Sequence, residues 1–239
     1  MSDAPDRPKG GASDTPDAPA AGTGLAAVLL AAGEARRMQG INKLLLEIDG
    51  VPLVRRSARM LVRAGIEDIV VVLGHQADRV RAALGDPAGI GAGARTRITV
   101  IEHTGYRSGQ HGSVLAGLAA LPALPAGCAA ALVMLGDMPL VDEADVARIA
   151  AAWQRRPQGC AVLVPEFEQR RGNPVLIGPP ALAQIVRERP EGGARAWMDA
   201  HPQQVGRVPM PDDHCVFDLD TPDDLARLEA RLGRPVVVR

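Results

Sequence analysis

"LAAVLLAAG", Leu25 to Gly33, carries no polar side chain and ends in glycine. A short apolar run closed by glycine is the signature of a strand buried on both faces, as in parallel sheets whose two sides are covered by helices. The next two segments decide the fold. "PLVRRSARMLVRAG" (52–65) places apolar residues Leu53, Ala58, Leu61 and Val62 at helical spacing and stops on Gly65. "IEDIVVVLG" (66–74) is then a second buried strand.

The alternation continues. "QADRVRAALG" predicts a short helix, "ITVIEH" a third strand, "GSVLAGLAALPAL" a helix, "AALVMLGD" a fourth strand, "VDEADVARIAAAW" a helix and "CAVLVP" a fifth strand. Such a rhythm argues for βαβ units: a single Rossmann-like α/β domain with a mostly parallel, doubly wound sheet. After Pro165 the rhythm breaks. "RRGNPVLIG" predicts a turn and a short strand, a small antiparallel element near 172–178. Helices near 179–188 and 193–200, a short strand "QVGRVPM", and "CVFDLDTPDDLARLEARLG" as a strand into a final helix complete the pattern. Thr221 or Asp220 is the expected N-cap there, ahead of Pro222. Asp223 and Asp224 read as solvated. The domain expected is 25–233. Residues 1–24, rich in Pro, Asp, Gly, Ala and Ser, read as a disordered tail, and 234–239 as a C-terminal tail, either unpaired or a short extra strand.

With 27 Lys and Arg against 28 Asp and Glu, no basic surface for nucleic acid is expected, and 2% aromatics argue against base-stacking platforms. No apolar run approaches the roughly 20 residues of a membrane span. Cys128, Cys160 and Cys215 form no C-x-x-C pair and read as buried thiols of a cytoplasmic protein. The five histidines show no ligand spacing, so no zinc site is expected, and His111 reads as a loop residue.

Among all the cations only Lys9 and Lys43 are lysines, and Lys9 falls in the tail. Lys43 stands behind a loop with two arginines. That loop is not a Walker A motif, since Leu44 comes directly after Lys43, nor a dinucleotide fingerprint. Ala31, Ala32 and Gly33 are backbone without bulk, able to approach an anion or a base edge. Arg36, Arg37 and Lys43 offer cations for phosphate, Arg as a rigid fork and Lys as a movable point charge. The plain alternative is a strand–helix loop with solvated arginines. Ligands of open α/β sheets bind at the carboxyl ends of strands, where Asp137 also falls. Asp137 suits a helix cap or a divalent cation; Mg²⁺ takes one or two carboxylates plus substrate phosphates. Asp218 and Asp220 share one side of a strand by period two, one as ligand and the other as support. Ser108, Gly109, Gly112 and Ser113, before a helix, present free N–H groups to a polar edge.

"LAAG…RRM…G…NK", "GDMPLV", "GNPVL" and "DLDTPDDL" occur in that order, and together they resemble the molybdenum cofactor nucleotidyltransferases, most closely the cytidylyltransferase branch, over Leu25 to Leu232. The resemblance implies the nucleotide-diphospho-sugar transferase type of sheet. It implies that Leu30, Ala31, Ala32 and Gly33 hold the base, that Arg37 and Lys43 hold the triphosphate and act with Asp137 in catalysis, and that Asp137 and Asp220 bind Mg²⁺. Ser108, Gly109, Gly112 and Ser113 would line the base or ribose pocket, with Gly172, Asn173 and Pro174 on the acceptor side. CMP would pass from CTP to the terminal phosphate of molybdopterin, and a molybdoenzyme or its maturation chaperone would be a partner. Ala32 matches the CTP form of the loop. Glu34, Asn173 and the six-residue step from Arg37 to Lys43 depart from the cytidylyl pattern, the last towards the guanylyl branch. The alternatives are a guanylyltransferase using GTP, the same chemistry on another phosphate acceptor, and a non-catalytic carrier of the finished cofactor.

Overall fold

The structure, a computed structural model, describes residues 24–34, 36–38, 40–90, 96–121 and 130–237. Cys128 and almost all of the N-terminal tail lie outside those residues.

All seven residues of β1 (Leu25–Ala31) are buried, because β1 is an interior strand of the main sheet with a neighbour on each side and helices on both faces. The other elements, in chain order, are β2 (Glu47–Ile48), β3 (Val51–Pro52), α1 (Leu53–Arg63), β4 (Asp68–Leu73), α2 (Ala77–Leu84), β5 (Arg97–Glu102), α3 (Gln110–Ala120), β6 (Ala130–Leu135), α4 (Glu143–Gln154), β7 (Val162–Phe167), β8 (Arg170–Arg171), β9 (Val175–Ile177), α5 (Pro179–Glu188), α6 (Gly193–Ala200), β10 (Val205–Pro209) and α7 (Pro222–Leu232). The main sheet runs β10-β7-β9-β6-β1-β4-β5, with β8 paired to β7 and β2–β3 a separate hairpin. β1 pairs in parallel with β4 and β6, β4 with β5, and β7 with β10. Among the described strands of this sheet only β9 and β8 run the other way, β9 between β6 and β7. The mostly parallel, doubly wound sheet and the antiparallel element near 172–178 are therefore as the sequence predicts.

Period two along β1 explains the two layers. Leu25, Ala27, Leu29 and Ala31 face α1, α2 and α4 through Leu61, Val80 and Ile149, and Trp153 of α4 closes that side. Ala26, Val28 and Leu30 face α3, α5 and α6 through Leu118, Ile185 and Trp197. Helix α3 comes so close that a Cβ on Gly117 would stand 2.3 Å from a Val28 methyl. A third cluster, Met38, Ile48, Leu53, Phe217, Leu219 and Leu228, seats the hairpin and α7 beside the sheet. Val237 pairs with Glu47 in an isolated antiparallel bridge, and Val236 is buried; the C-terminal segment thus lies against the β2 strand.

The expected last strand is absent. His214–Val216 is a single 3-10 turn, and Phe217–Asp220 forms no ladder. The long-range backbone bonds of this segment are isolated ones: Asn173 N–H donates to the Cys215 carbonyl at 2.8 Å, and Leu219 N–H to the Asp137 carbonyl at 3.0 Å. The inside–outside alternation nevertheless holds: Phe217 and Leu219 are buried while Asp218 and Asp220 turn outwards. Burial of two side chains in the third cluster, without a sheet, produces it.

Thr221 is the N-cap of α7. Its hydroxyl accepts from Asp224 N–H, and the Asp224 carboxylate accepts from the N–H groups of Asp220 and Thr221. Asp224 is therefore a buried capping residue rather than a solvated one. Burial alone would raise its carboxyl, but the Thr221 and Arg227 hydrogen bonds outweigh that and hold it at about 2, below its usual 3.8. Because the folded value is depressed, this stabilisation is complete above the unfolded value near 3.8 and is lost as pH falls through about 2. We expect Thr221→Ala to cost about 1 kcal/mol in urea unfolding at pH 7. Asp224→Asn should flatten the loss of stability between pH 4 and 2; a wild-type acid profile in that variant would remove the cap from the account.

Candidate active site

A cavity of about 470 Å³ opens at the carboxyl end of β1 and β6. The three polar clusters separated in sequence meet there. Leu30, Ala32 and Gly33 come from the end of β1 and its loop; Arg37 and Lys43 from two 3-10 turns; Gly109 and Ser113 from the start of α3; Asp137 from the loop after β6; Asp218 and Asp220 from the segment before α7. Three expected residues stand elsewhere. Ala31 turns into the opposite layer of the core. Ser108 Oγ donates to the Gly105 carbonyl at 2.7 Å. Gly112 lies against His103, whose Nε2 a Cβ there would meet at 2.8 Å. Arg36 begins a 3-10 turn, and its side chain lies outside the described residues.

Lys43 is the hub. Asn42 caps its short turn, its side chain accepting from Leu44 N–H at 3.1 Å. The Lys43 side chain is 11% exposed, and its Nζ forms ion pairs with Asp137 Oδ2 and, at 2.6 Å, with Asp220 Oδ1. The two carboxylates are thus separated by no more than two hydrogen-bond lengths. The other oxygen of Asp220 pairs with Arg37. Burial would lower the Lys43 ammonium, but the charges and hydrogen bonds of Asp137 and Asp220 outweigh it, so its proton is held more tightly than usual. Burial likewise would raise Asp220, and Lys43 and Arg37 bring it below the usual carboxylate range. Among the described residues no cation pairs with Asp218. Burial pushes its carboxyl up, and the charges of Asp220 and Asp137 add to the effect.

Among the described residues, four carboxylates (Glu34, Asp137, Asp218, Asp220) and three cations (Arg37, Lys43, Arg107) line the cavity. Asp137 Oδ1 is buried and has no hydrogen-bond partner among the described residues. A buried carboxylate oxygen without a partner is costly, and a divalent cation shared with Asp220 would satisfy it. The donor set thus fits a hard, oxygen-seeking ion. Asp142, Asp145 and His214 also bring ligand atoms within 4.8 Å of one another. Their oxygens, however, serve the N-terminus of α4. Asp142 accepts from Ala144 and Asp145 N–H, and Asp145 accepts from Asp142 N–H and meets His214 Nδ1 at 3.1 Å.

Tyr106, Arg107 and Gln110 line the cavity without having been singled out in the sequence, whereas Glu34, read there as a departure from the cytidylyl pattern, does line it. Arg107 reaches across to Glu34 at 3.2 Å, joining the loops after β1 and β5. A signal existed for Tyr106, the single tyrosine of the chain, in a glycine-rich loop. His111, expected in a loop, is the second residue of α3. Gly33 is not demanded by packing, since a Cβ there meets nothing within 4 Å; Gly109, at φ +116°, starts α3 in a conformation that favours glycine.

A second cavity, about 400 Å³, adjoins the first across Leu30, Gln110 and Leu135 and includes Gly172 and Asn173. Pro174 does not line it. Cys215 is buried, Cys160 half-buried, and no disulfide joins them. No helix among the described residues is long and apolar enough to cross a membrane.

A polyanion-sized cleft at the carboxyl edge of a doubly wound sheet, with cations and carboxylates interleaved, defines the α/β nucleotidyltransferase class. Residues 27–205 match the model of the MobA-like NTP transferase domain, and the chain belongs to that family. A relative, the bifunctional protein GlmU of Symbiobacterium thermophilum, is 31% identical over 184 residues, which is 75% of this chain and 34% of that protein. The chain thus spans about a third of the length of the curated relatives it matches. Among solved structures, a nucleotidyl transferase from Methanothermobacter thermautotroptrophicus superposes with a TM-score of 0.69 at 22% identity, covering 87% of this chain and 97% of that one. Rv0371C from Mycobacterium tuberculosis H37Rv, solved as a complex with manganese, superposes with a TM-score of 0.59 at 24% identity, covering 85% and 97%.

Gly74, after β4, lies beneath Ala32 and Tyr106 in the cavity wall. A Cβ there would stand 2.8 Å from the Ala32 Cβ, 2.9 Å from the Ala32 carbonyl and 2.9 Å from the Tyr106 Cβ. Backbone must therefore move. Gly74→Ala should destabilise by about 1–3 kcal/mol in urea unfolding, whereas Gly33→Ala should leave stability near wild type. Equal stabilities would contradict the packing described.

Proposed function

We propose that the chain transfers CMP from CTP to the terminal phosphate of molybdopterin, releasing pyrophosphate, with Mg²⁺ as the metal. The observation that carries this reading is the Lys43 ammonium held between Asp137 and Asp220 beneath a loop of small residues. The LAAG form of that loop, with Ala32, supports CTP. The manganese complex of Rv0371C supports a divalent cation, and the unpartnered oxygen of Asp137 is where one would be held, together with Asp220.

An acceptor phosphate is already ionised and needs no strong base. One of its oxygens forms a bond to the α-phosphorus of CTP as the bond to the bridging oxygen of the β-phosphate breaks, and pyrophosphate departs with both electrons. The chain contributes position and charge. Arg37 and Lys43 neutralise the triphosphate, and the Leu30–Gly33 loop admits the base at close range. Bound Mg²⁺ supplies further neutralisation of phosphate oxygens. Lys43 moves from carboxylate to phosphate as nucleotide arrives, which a point charge on a flexible stem can do and a guanidinium fork does poorly.

Purified protein incubated with molybdopterin and each of the four NTPs should release pyrophosphate fastest with CTP and not at all under chelation. GTP preference would move the chain to the guanylyl branch, and pyrophosphate release with another acceptor alone would replace molybdopterin. Nucleotide binding without release from any pair would leave the carrier reading. Asp137→Asn should reduce kcat/KM by about a hundredfold, roughly 3 kcal/mol of transition-state stabilisation.

The ammonium also competes with the metal. In nucleotide-free protein, Lys43→Met should tighten Mn²⁺ binding by roughly tenfold or more, because a charge in direct contact with both carboxylates is removed. Arg37→Met, which touches Asp220 alone and is largely exposed, should tighten it less. Weaker Mn²⁺ binding in Lys43→Met would place the ion away from Asp137 and Asp220.

A further inference from the structure

The two adjoining cavities differ in charge. The first carries four carboxylates. The second has none among the described residues; its polar rim is Gln110, His111, Asn173, Arg171 and Arg195, over a floor of aliphatic side chains that includes Val114, Val133, Val164 and Ile177. Its two arginines are not equivalent. Arg171 Nη1 is paired with Asp199 at 2.8 Å. Asp199 stands one turn beyond Arg195 on α6, where an i,i+4 partner would lie, so the nearest acid along that helix is committed to Arg171. Arg195 has no ion pair or hydrogen bond among the described residues. Its wall is fixed: a Cβ on Gly193 would meet the His111 Cβ at 2.7 Å, so α6 abuts the start of α3, and Trp197 anchors the helix in the core.

From this asymmetry we infer that Arg195 is the residue that selects the acceptor, and that the acceptor class is an oxyanion joined to a body that lays an apolar face on the cavity floor. The inference rests on the nucleotidyl-transfer reading of the first cavity, since it makes the second the acceptor's side. Aliphatic side chains on the sheet face cover a ring or a hydrocarbon body. Arg195 supplies a guanidinium fork, paired with no acid among the described residues, for phosphate or carboxylate oxygens. A neutral sugar alcohol would leave Arg195 without a partner. A cationic acceptor would meet two arginines with no acid in the cavity wall.

Two measurements test this. In the kinetic one, Arg195→Gln should raise KM for molybdopterin by roughly ten- to a hundredfold, the loss of a charge-assisted hydrogen bond, with KM for CTP unchanged. Asp199→Asn, which frees Arg171, should lower the acceptor KM. In the binding one, phenyl phosphate is titrated into the nucleotide-free protein and followed by Trp fluorescence and calorimetry, with benzyl alcohol as the neutral comparison. Phenyl phosphate should bind the wild type, bind Arg195→Gln at least tenfold more weakly, and outcompete benzyl alcohol. Equal affinity for wild type and Arg195→Gln, or no binding to wild type, would overturn the inference. The binding arm needs no catalysis. Absence of pyrophosphate release with all four NTPs would strike the transfer reading, while the phenyl phosphate result would still decide the role of Arg195.

Discussion

Three segments distant in sequence, around residues 43, 137 and 220, are held together by one ammonium between two carboxylates. Without Lys43, the charges of Asp137, Asp218 and Asp220 would crowd one edge of the sheet without an internal counter-ion in contact with two of them. With it, Asp220 is stabilised in its ionised form and the Leu219 backbone docks on the Asp137 carbonyl. The turn that carries Lys43 is capped by Asn42 and packed through Leu44 into the main core. The site is therefore preassembled in a form that a polyanion and a cation can take over together, carboxylates exchanging the ammonium for a metal and the ammonium exchanging carboxylates for phosphate.

The sheet has a division of labour. Parallel strands β1, β4 and β6 end at one edge and deliver Leu30, Gly74 and Asp137 to it. Beyond β6, the reversed strand β9 interrupts the parallel order, and the second cavity forms over that side, between the sheet and α6. Reversal at β9 separates an acid-rich half of the crevice from a half whose charges are arginines. One fold thereby offers two neighbouring cavities of opposite character, joined across Leu30, Gln110 and Leu135.

Much of this was legible from local pattern. Apolar runs closed by glycine predict β1, β4 and β6, because a strand buried on both faces has no other pattern open to it. Small residues, cations and lone acids at strand ends predict the first cavity, since the carboxyl edge is where such folds gather ligands. What escaped depends on long-range packing. The segment 217–220 alternates as a strand does, yet its alternation comes from Phe217 and Leu219 entering the third cluster. Asp224 looks solvated because a capping box and a surface acid are written with the same letter. Arg195 carries no local mark; its standing comes from Asp199 being taken by an arginine on β8.

The central claim is that the Lys43 ammonium bridges Asp137 and Asp220 in the free protein and leaves them for the triphosphate. Only two lysines occur in the chain, so ¹⁵N-labelled lysine resolves the Nζ groups by NMR, and Lys43→Met assigns the signal. The Lys43 ammonium resonance should be protected from exchange with water near neutral pH in the ligand-free protein, weakened in Asp220→Asn, and shifted when CTP and Mg²⁺ are added together. An Nζ signal that exchanges as fast as that of Lys9, or that stays unmoved by CTP with Mg²⁺, would contradict that claim.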